Sequence, residues 1–106
     1  MRKLISSLAL TASLTLGAQK GAPGDAGKGQ AVFQQCATCH LAASAEKRIG
    51  PGLKGLFKKA KMQNGRRPTE QSVRAVIESG GGGMPAFREM LTEQEKTDLI
   101  AYLRTL

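Results

Sequence analysis

The stretch Cys36-Ala37-Thr38-Cys39-His40, CATCH, contains both cysteines and the only histidine of a 106-residue chain. Two cysteines and one histidine scattered at random over this length form C-x-x-C-H in roughly 2 of 10,000 arrangements, so the clustering carries information. A thioredoxin-like dithiol would want a helix beside a parallel sheet, and the chain shows no alternating strand pattern. A structural zinc ion takes about four ligands, and two thiolates with one imidazole leave it one short. A disulfide between residues three apart would close a small, strained ring. The remaining reading of C-x-x-C-H is a site of covalent haem c attachment.

Outward from this window the sequence predicts helices. Upstream, Asp25 is a candidate N-cap for a first helix over residues 26 to 38, with Ala31, Val32 and Phe33 as its apolar residues. At the end of such a helix Cys36, Cys39 and His40 stand at i, i+3 and i+4 and project from one side within one turn. Two thiols then lie along the edge of a planar ligand, with an imidazole over its centre. Downstream, residues 49–68 carry four Gly and two Pro and form a long loop, with a turn near Leu53 to Lys58, that needs something to pack on. Thr69 caps a second helix with Glu70 in its first turn, an apolar stripe of Val73, Val76 and Ile77, and a stop at Gly80. Thr92 and Glu95 form a capping box that opens a third helix with Leu99, Ile100, Leu103 and Leu106 on one face. The class is all-α, in one domain. Four aromatic residues and no Trp make a thin core that a buried cofactor would complete.

With these residues in place, the chain from about 24 to 106 resembles the class I monohaem c-type cytochromes, the bacterial soluble cytochromes c. The resemblance implies a small cytochrome c fold, three to four helices around a covalently bound haem with the N- and C-terminal helices crossing. It implies thioether bonds from Cys36 and Cys39 to one haem c, and His40 as the proximal iron ligand. The stretch GGGGMPAF, residues 80–87, taken alone is either a flexible linker or a loop whose glycines let backbone approach a flat ligand. Most buried methionines only fill gaps. The resemblance identifies this stretch with the distal-ligand loop and assigns Met84 to the iron, whereas Met62 and Met90 lack that setting. Gly50, Pro51 and Leu53 resemble the family's G-P-x-L turn, which implies a hydrogen bond from the His40 ring to the Pro51 carbonyl. Gly29, Phe33, Leu99 and Tyr102 match the positions where the terminal helices cross. Tyr102, Arg74 and the basic loop are candidates to face the haem propionates, because the central segment is shorter than in mitochondrial members.

The function implied is one-electron transfer, Fe(III)/Fe(II), between exported or membrane redox partners, by a protein that is not an enzyme. An alternative is a haem c subunit of a periplasmic dehydrogenase complex. Residues 1–18 read as a cleavable signal peptide: Arg2 and Lys3, then an uncharged run from Leu4 to Leu16, then small residues. This run is too short to span a bilayer. The expected mature domain, 19–106, is therefore periplasmic, a monomer, without stable membrane insertion. The chain carries +8, with 16 Lys and Arg against 8 Asp and Glu. Half of those cations, Lys47, Arg48, Lys54, Lys58, Lys59, Lys61, Arg66 and Arg67, fall between positions 47 and 67 with no acid among them. The run is either a solvated loop or a docking surface for acidic redox partners. With four aromatics and no binding motif, nucleic acid is not an expected partner.

Overall fold

The structure, a computed structural model, describes residues 22–106, so the predicted signal peptide lies outside the described residues. Three helices follow in order, α1 (Ala26–Phe33), α2 (Glu70–Ser79) and α3 (Glu93–Leu103), with a short 3-10 turn at Leu56–Lys58. Among the described residues there is no strand, only an isolated antiparallel pairing of Gly81 with Met84. The all-α expectation holds, and so do the three caps. Asp25 accepts from the Lys28 N–H, Thr92 and Glu95 form the capping box, and Thr69 forms a second box with Ser72.

The first helix is shorter than predicted, ending at Phe33 rather than at residue 38. Beyond it the chain tightens into three-residue turns, with Gln34 N–H on Ala31 O, Gln35 on Val32 and Cys36 on Phe33. These bonds take the Ala31, Val32 and Phe33 carbonyls with donors three residues on, so the α-helical ladder is not continued. Farther along, Cys39 O accepts from Gly50 N–H at 2.8 Å and Leu41 O from Leu53 N–H at 2.9 Å, which joins the turn to the following loop.

Helix α1 packs across α3 at Gly29. A Cβ there would run into the Asp98 carbonyl and lie 2.8 Å from the Tyr102 Cβ, so only glycine permits this approach. The Phe33 and Tyr102 rings meet beside the crossing at 5.4 Å, tilted by 51°. Phe33, Leu99, Ile100 and Leu103 are buried together with Val73 and Ile77 of α2, Leu56 of the 3-10 turn, and Phe87 and Leu91 of the final loop. Each such side chain contributes about 1.5–3 kcal/mol when fully buried.

Two charged side chains are buried in α3, which its apolar face did not announce. Lys96 is 1% exposed and donates to Glu93 at 2.8 Å, with Glu78 of α2 at 3.6 Å. Asp98 is 4% exposed, and its Oδ1 accepts from the Asp25 N–H at 2.9 Å and from Gln94 Nε2 at 3.0 Å. These bonds, the Asp25 amide first, hold the Asp98 carboxyl below its ordinary range. Asp98 thereby ties the start of α1 to α3. A carboxyl with a lowered native pKa stabilises the fold above its unfolded value, about 3.9, and loses that effect as pH falls through the native value. The wild-type protein should therefore exceed Asp98→Asn in denaturant midpoint near pH 7, and the gap should narrow as pH falls below that unfolded value. A gap unchanged across that range would show that the charge contributes nothing.

Candidate functional site

The turn that follows α1 carries Cys36, Cys39 and His40. His40 N–H closes a single helical turn onto Cys36 O at 2.9 Å, and Cys39 N–H shares that oxygen at 3.1 Å. The three side chains predicted to share one side thus leave from one short turn rather than from a regular helix. Both thiols are half-buried and unpaired with each other. Burial, and secondly the neighbouring Cys39, raise the Cys36 thiol above its ordinary pKa and keep it protonated near neutrality. No group of three or more His, Cys, Asp or Glu side chains converges as a metal cluster among the described residues, which leaves the zinc reading without a site.

The loop after the turn fixes the imidazole. His40 Nδ1 lies 2.8 Å from the Pro51 carbonyl oxygen. A carbonyl only accepts, so Nδ1 carries the ring proton and Nε2 is the nitrogen with a free lone pair. Gly50 lies against the ring itself, where a Cβ would stand 2.5 Å from Cε1, 2.8 Å from Nδ1 and 3.0 Å from Nε2. Gly52 is buried under the 44–46 backbone, where a Cβ would overlap Ser44 O and Ala45 C. The loop is also stitched to the turn by Gly50 N–H on Cys39 O and by Leu53 N–H on Leu41 O. The G-P-x-L expectation is met in geometry, and the two close-approach glycines add to it.

Met84 sits in the loop between α2 and α3 and is half-buried against the core. Gly80 to Gly83 all have positive φ, at 60°, 115°, 60° and 92°. Gly81 and Met84 exchange both backbone hydrogen bonds, 2.9 and 3.1 Å, around the tip Gly82–Gly83. Positive φ at both tip residues is the pattern of a type I′ hairpin turn. The run is therefore a structured tip and not a linker. Met62 is half-buried on the same core, while Met90 is 60% exposed.

Of the residues considered for the propionates, Arg74 is engaged elsewhere, donating to Thr97 at 2.9 Å and to Glu93 at 3.3 Å. Tyr102 packs on Phe33 at the helix crossing. All eight cations of 47–67 are exposed, and none forms an ion pair among the described residues. A shallow hollow of about 440 Å³ opens beside His40, between the end of α1, residues 41–44 and Tyr102; neither the cysteines nor Met84 line it.

These residues fit a covalently attached haem. Two reduced thiols flank an imidazole whose tautomer is set, and Cys36, Leu53, Met62 and Met84 pack on the core with part of their apolar surface uncovered. Known proteins agree. Residues 24–103 match the family model described as cytochrome C oxidase, cbb3-type, subunit III. The chain is 33% identical to cytochrome c2 of Blastochloris viridis, over 98% of this chain and 93% of that one. It is 32% identical to cytochrome c6 of Gloeothece citriformis, over 97% and 93% respectively. Among solved structures, cytochrome c6 of the diatom Phaeodactylum tricornutum superimposes with a TM-score of 0.58 at 32% identity, covering 77% of this chain and 93% of that one.

Because Gly50 leaves no room beside the ring, Gly50→Ala should push the imidazole off its present position and destabilise the haem-loaded protein by about 1–3 kcal/mol. Thermal unfolding of the two proteins checks this, and an unchanged midpoint would mean that the loop yields freely.

Proposed function

The chain belongs to the c-type cytochrome family, and from that premise we propose that it is a periplasmic one-electron carrier with His40 and Met84 as its iron ligands. It carries one covalent haem c and is an electron-transfer protein rather than an enzyme. When bound, haem c supplies a single-electron Fe(III)/Fe(II) couple. The chain's residues supply attachment, orientation and tuning. Cys36 and Cys39 form the thioether links and fix the ring plane relative to α1. The observation that carries the reading is the 2.8 Å approach of His40 Nδ1 to Pro51 O. It commits the ring proton away from Nε2, which is then the ligating atom, and makes that nitrogen a stronger donor.

Met84 would supply a thioether as the second protein ligand. An iron held by His40 and Met84 would support electron transfer without bond making to a substrate. Thioether favours the ferrous state and raises the reduction potential. The basic stretch 47–67 begins seven residues after His40 and contains no acidic residue. It steers acidic redox partners toward this side of the molecule by long-range attraction. Residues 1–18 direct export, and the mature carrier works as a monomer without membrane insertion. No helix among the described residues is long and apolar enough to cross a bilayer.

Met84→Ala should lower the reduction potential by a tenth to a few tenths of a volt, on the order of a fraction of the ~0.8 V that axial ligands span. It should also remove the sulfur-to-iron absorption band. Voltammetry and the ferric spectrum read both, and an unchanged potential with the band intact would refute Met84 as the ligand. Reduction by an acidic partner protein should slow about tenfold or more as salt rises from ~10 mM to ~0.5 M, because the Debye length shrinks severalfold. A rate indifferent to salt would leave the basic stretch as a solvated loop.

A further inference from the structure

We propose that Gly80 is a positioning residue for the Met84 sulfur, acting through a backbone conformation and a close approach that no other residue type reproduces. The inference rests on the reading of Met84 as iron ligand.

The loop from 80 to 86 is held at both ends by the last turn of α2. Gly80 N–H donates to Val76 O at 2.8 Å, which completes the helix, and Phe87 N–H donates back to Ile77 O at 2.9 Å. Phe87 is buried and anchors the returning strand of the loop. Between these fixed points the Met84–Pro85 peptide has to be placed, and Gly80 places it. Its backbone stands at φ 60°, ψ −146°, close to a region that only glycine populates. A Cβ on Gly80 would overlap Met84 O and lie 2.6 Å from both Pro85 C and Pro85 O. The bare α-carbon is what lets this peptide lie against the end of α2.

The other three glycines do something different. Gly81, Gly82 and Gly83 have nothing within 4 Å in the Cβ direction. They serve the turn that pairs Gly81 with Met84, and their substitution costs conformation without collision. Gly82 shares the φ of 60° with Gly80 but meets no collision, so it controls for positive φ alone.

The test compares Gly80→Ala and Gly82→Ala with the wild type, each as full-length haem-loaded protein. The readouts are the sulfur-to-iron absorption band, the reduction potential, and far-ultraviolet circular dichroism for helix content. Gly80→Ala should lose the band and drop in potential toward the value of Met84→Ala, with helix content unchanged. Gly82→Ala should keep the band. Retention of the band in Gly80→Ala, or its equal loss in both variants, overturns the proposal. A wild-type protein without the band overturns the Met84 reading and this inference with it. If Gly80→Ala does not accumulate as folded protein, the wild type decides by nuclear Overhauser contacts. The Gly80 α-protons should contact the Pro85 α-proton in the ferrous protein, and the absence of that contact overturns the proposal.

Discussion

The hydrogen bond between His40 Nδ1 and the Pro51 carbonyl is the constraint to which the rest of the site answers. A free imidazole offers two nitrogens and turns about its bond to the chain. Here one nitrogen is committed, and the Gly50 backbone blocks the ring on one side at van der Waals limits. The loop that imposes this is itself pinned, since Gly50 and Leu53 take the carbonyls of Cys39 and Leu41.

The scaffold holds the His40 turn and the Met84 loop through separate devices. The His40 turn hangs from α1, which is locked to α3 by the Gly29 approach and by Asp98 on the Asp25 amide. The Met84 loop hangs from the end of α2, which is joined to α3 through buried Lys96 between Glu78 and Glu93. Helix α3 is thus the common reference for both. Polar groups in such surroundings are costly unless satisfied, and both buried charges of α3 are satisfied. A change at either would alter the relation between His40 and Met84 before it altered either residue.

Local signals were legible in the sequence where one residue type determines one local event. Thr69, Thr92 and Asp25 cap helices because a hydroxyl or carboxylate next to free amides has one best use, and all three do so. C-x-x-C-H was readable because covalent attachment demands fixed types at fixed spacing. Non-local matters were not readable. The burial of Lys96 and Asp98 depends on which residues of α1 and α2 arrive opposite, and a helical periodicity cannot state that. The sequence set Gly80 apart only as a helix stop, yet it also meets backbone where the other three glycines of the run face open space. Composition records the residue and not the direction its missing side chain would take.

Charge is distributed as unevenly as the packing is regular. Six of the eight acids, Glu70, Glu78, Glu89, Glu93, Glu95 and Asp98, lie between positions 70 and 98. Three of them are in ion pairs: Glu70 with Arg74 and Arg104, Glu78 with Arg88 and Lys96, and Glu93 with Arg74 and Lys96. Glu95 caps α3, and Asp98 accepts from the Asp25 amide. Arg104 also stacks over Phe57 at 4.4 Å, so it belongs to packing as much as to charge. With six acids against Arg74, Arg88, Lys96 and Arg104, residues 70–106 carry a formal −2, whereas the eight exposed cations of 47–67 alone carry +8. Exposed pairs contribute little to stability, about 0–1 kcal/mol each, so this segregation is not explained by the fold. It does give the molecule a direction. Unpaired charge of one sign is felt over about a Debye length, 8–10 Å, and this charge lies on a loop continuous in sequence with the turn that carries His40. The segment that fixes the His40 ring is thus also the one that holds the excess charge.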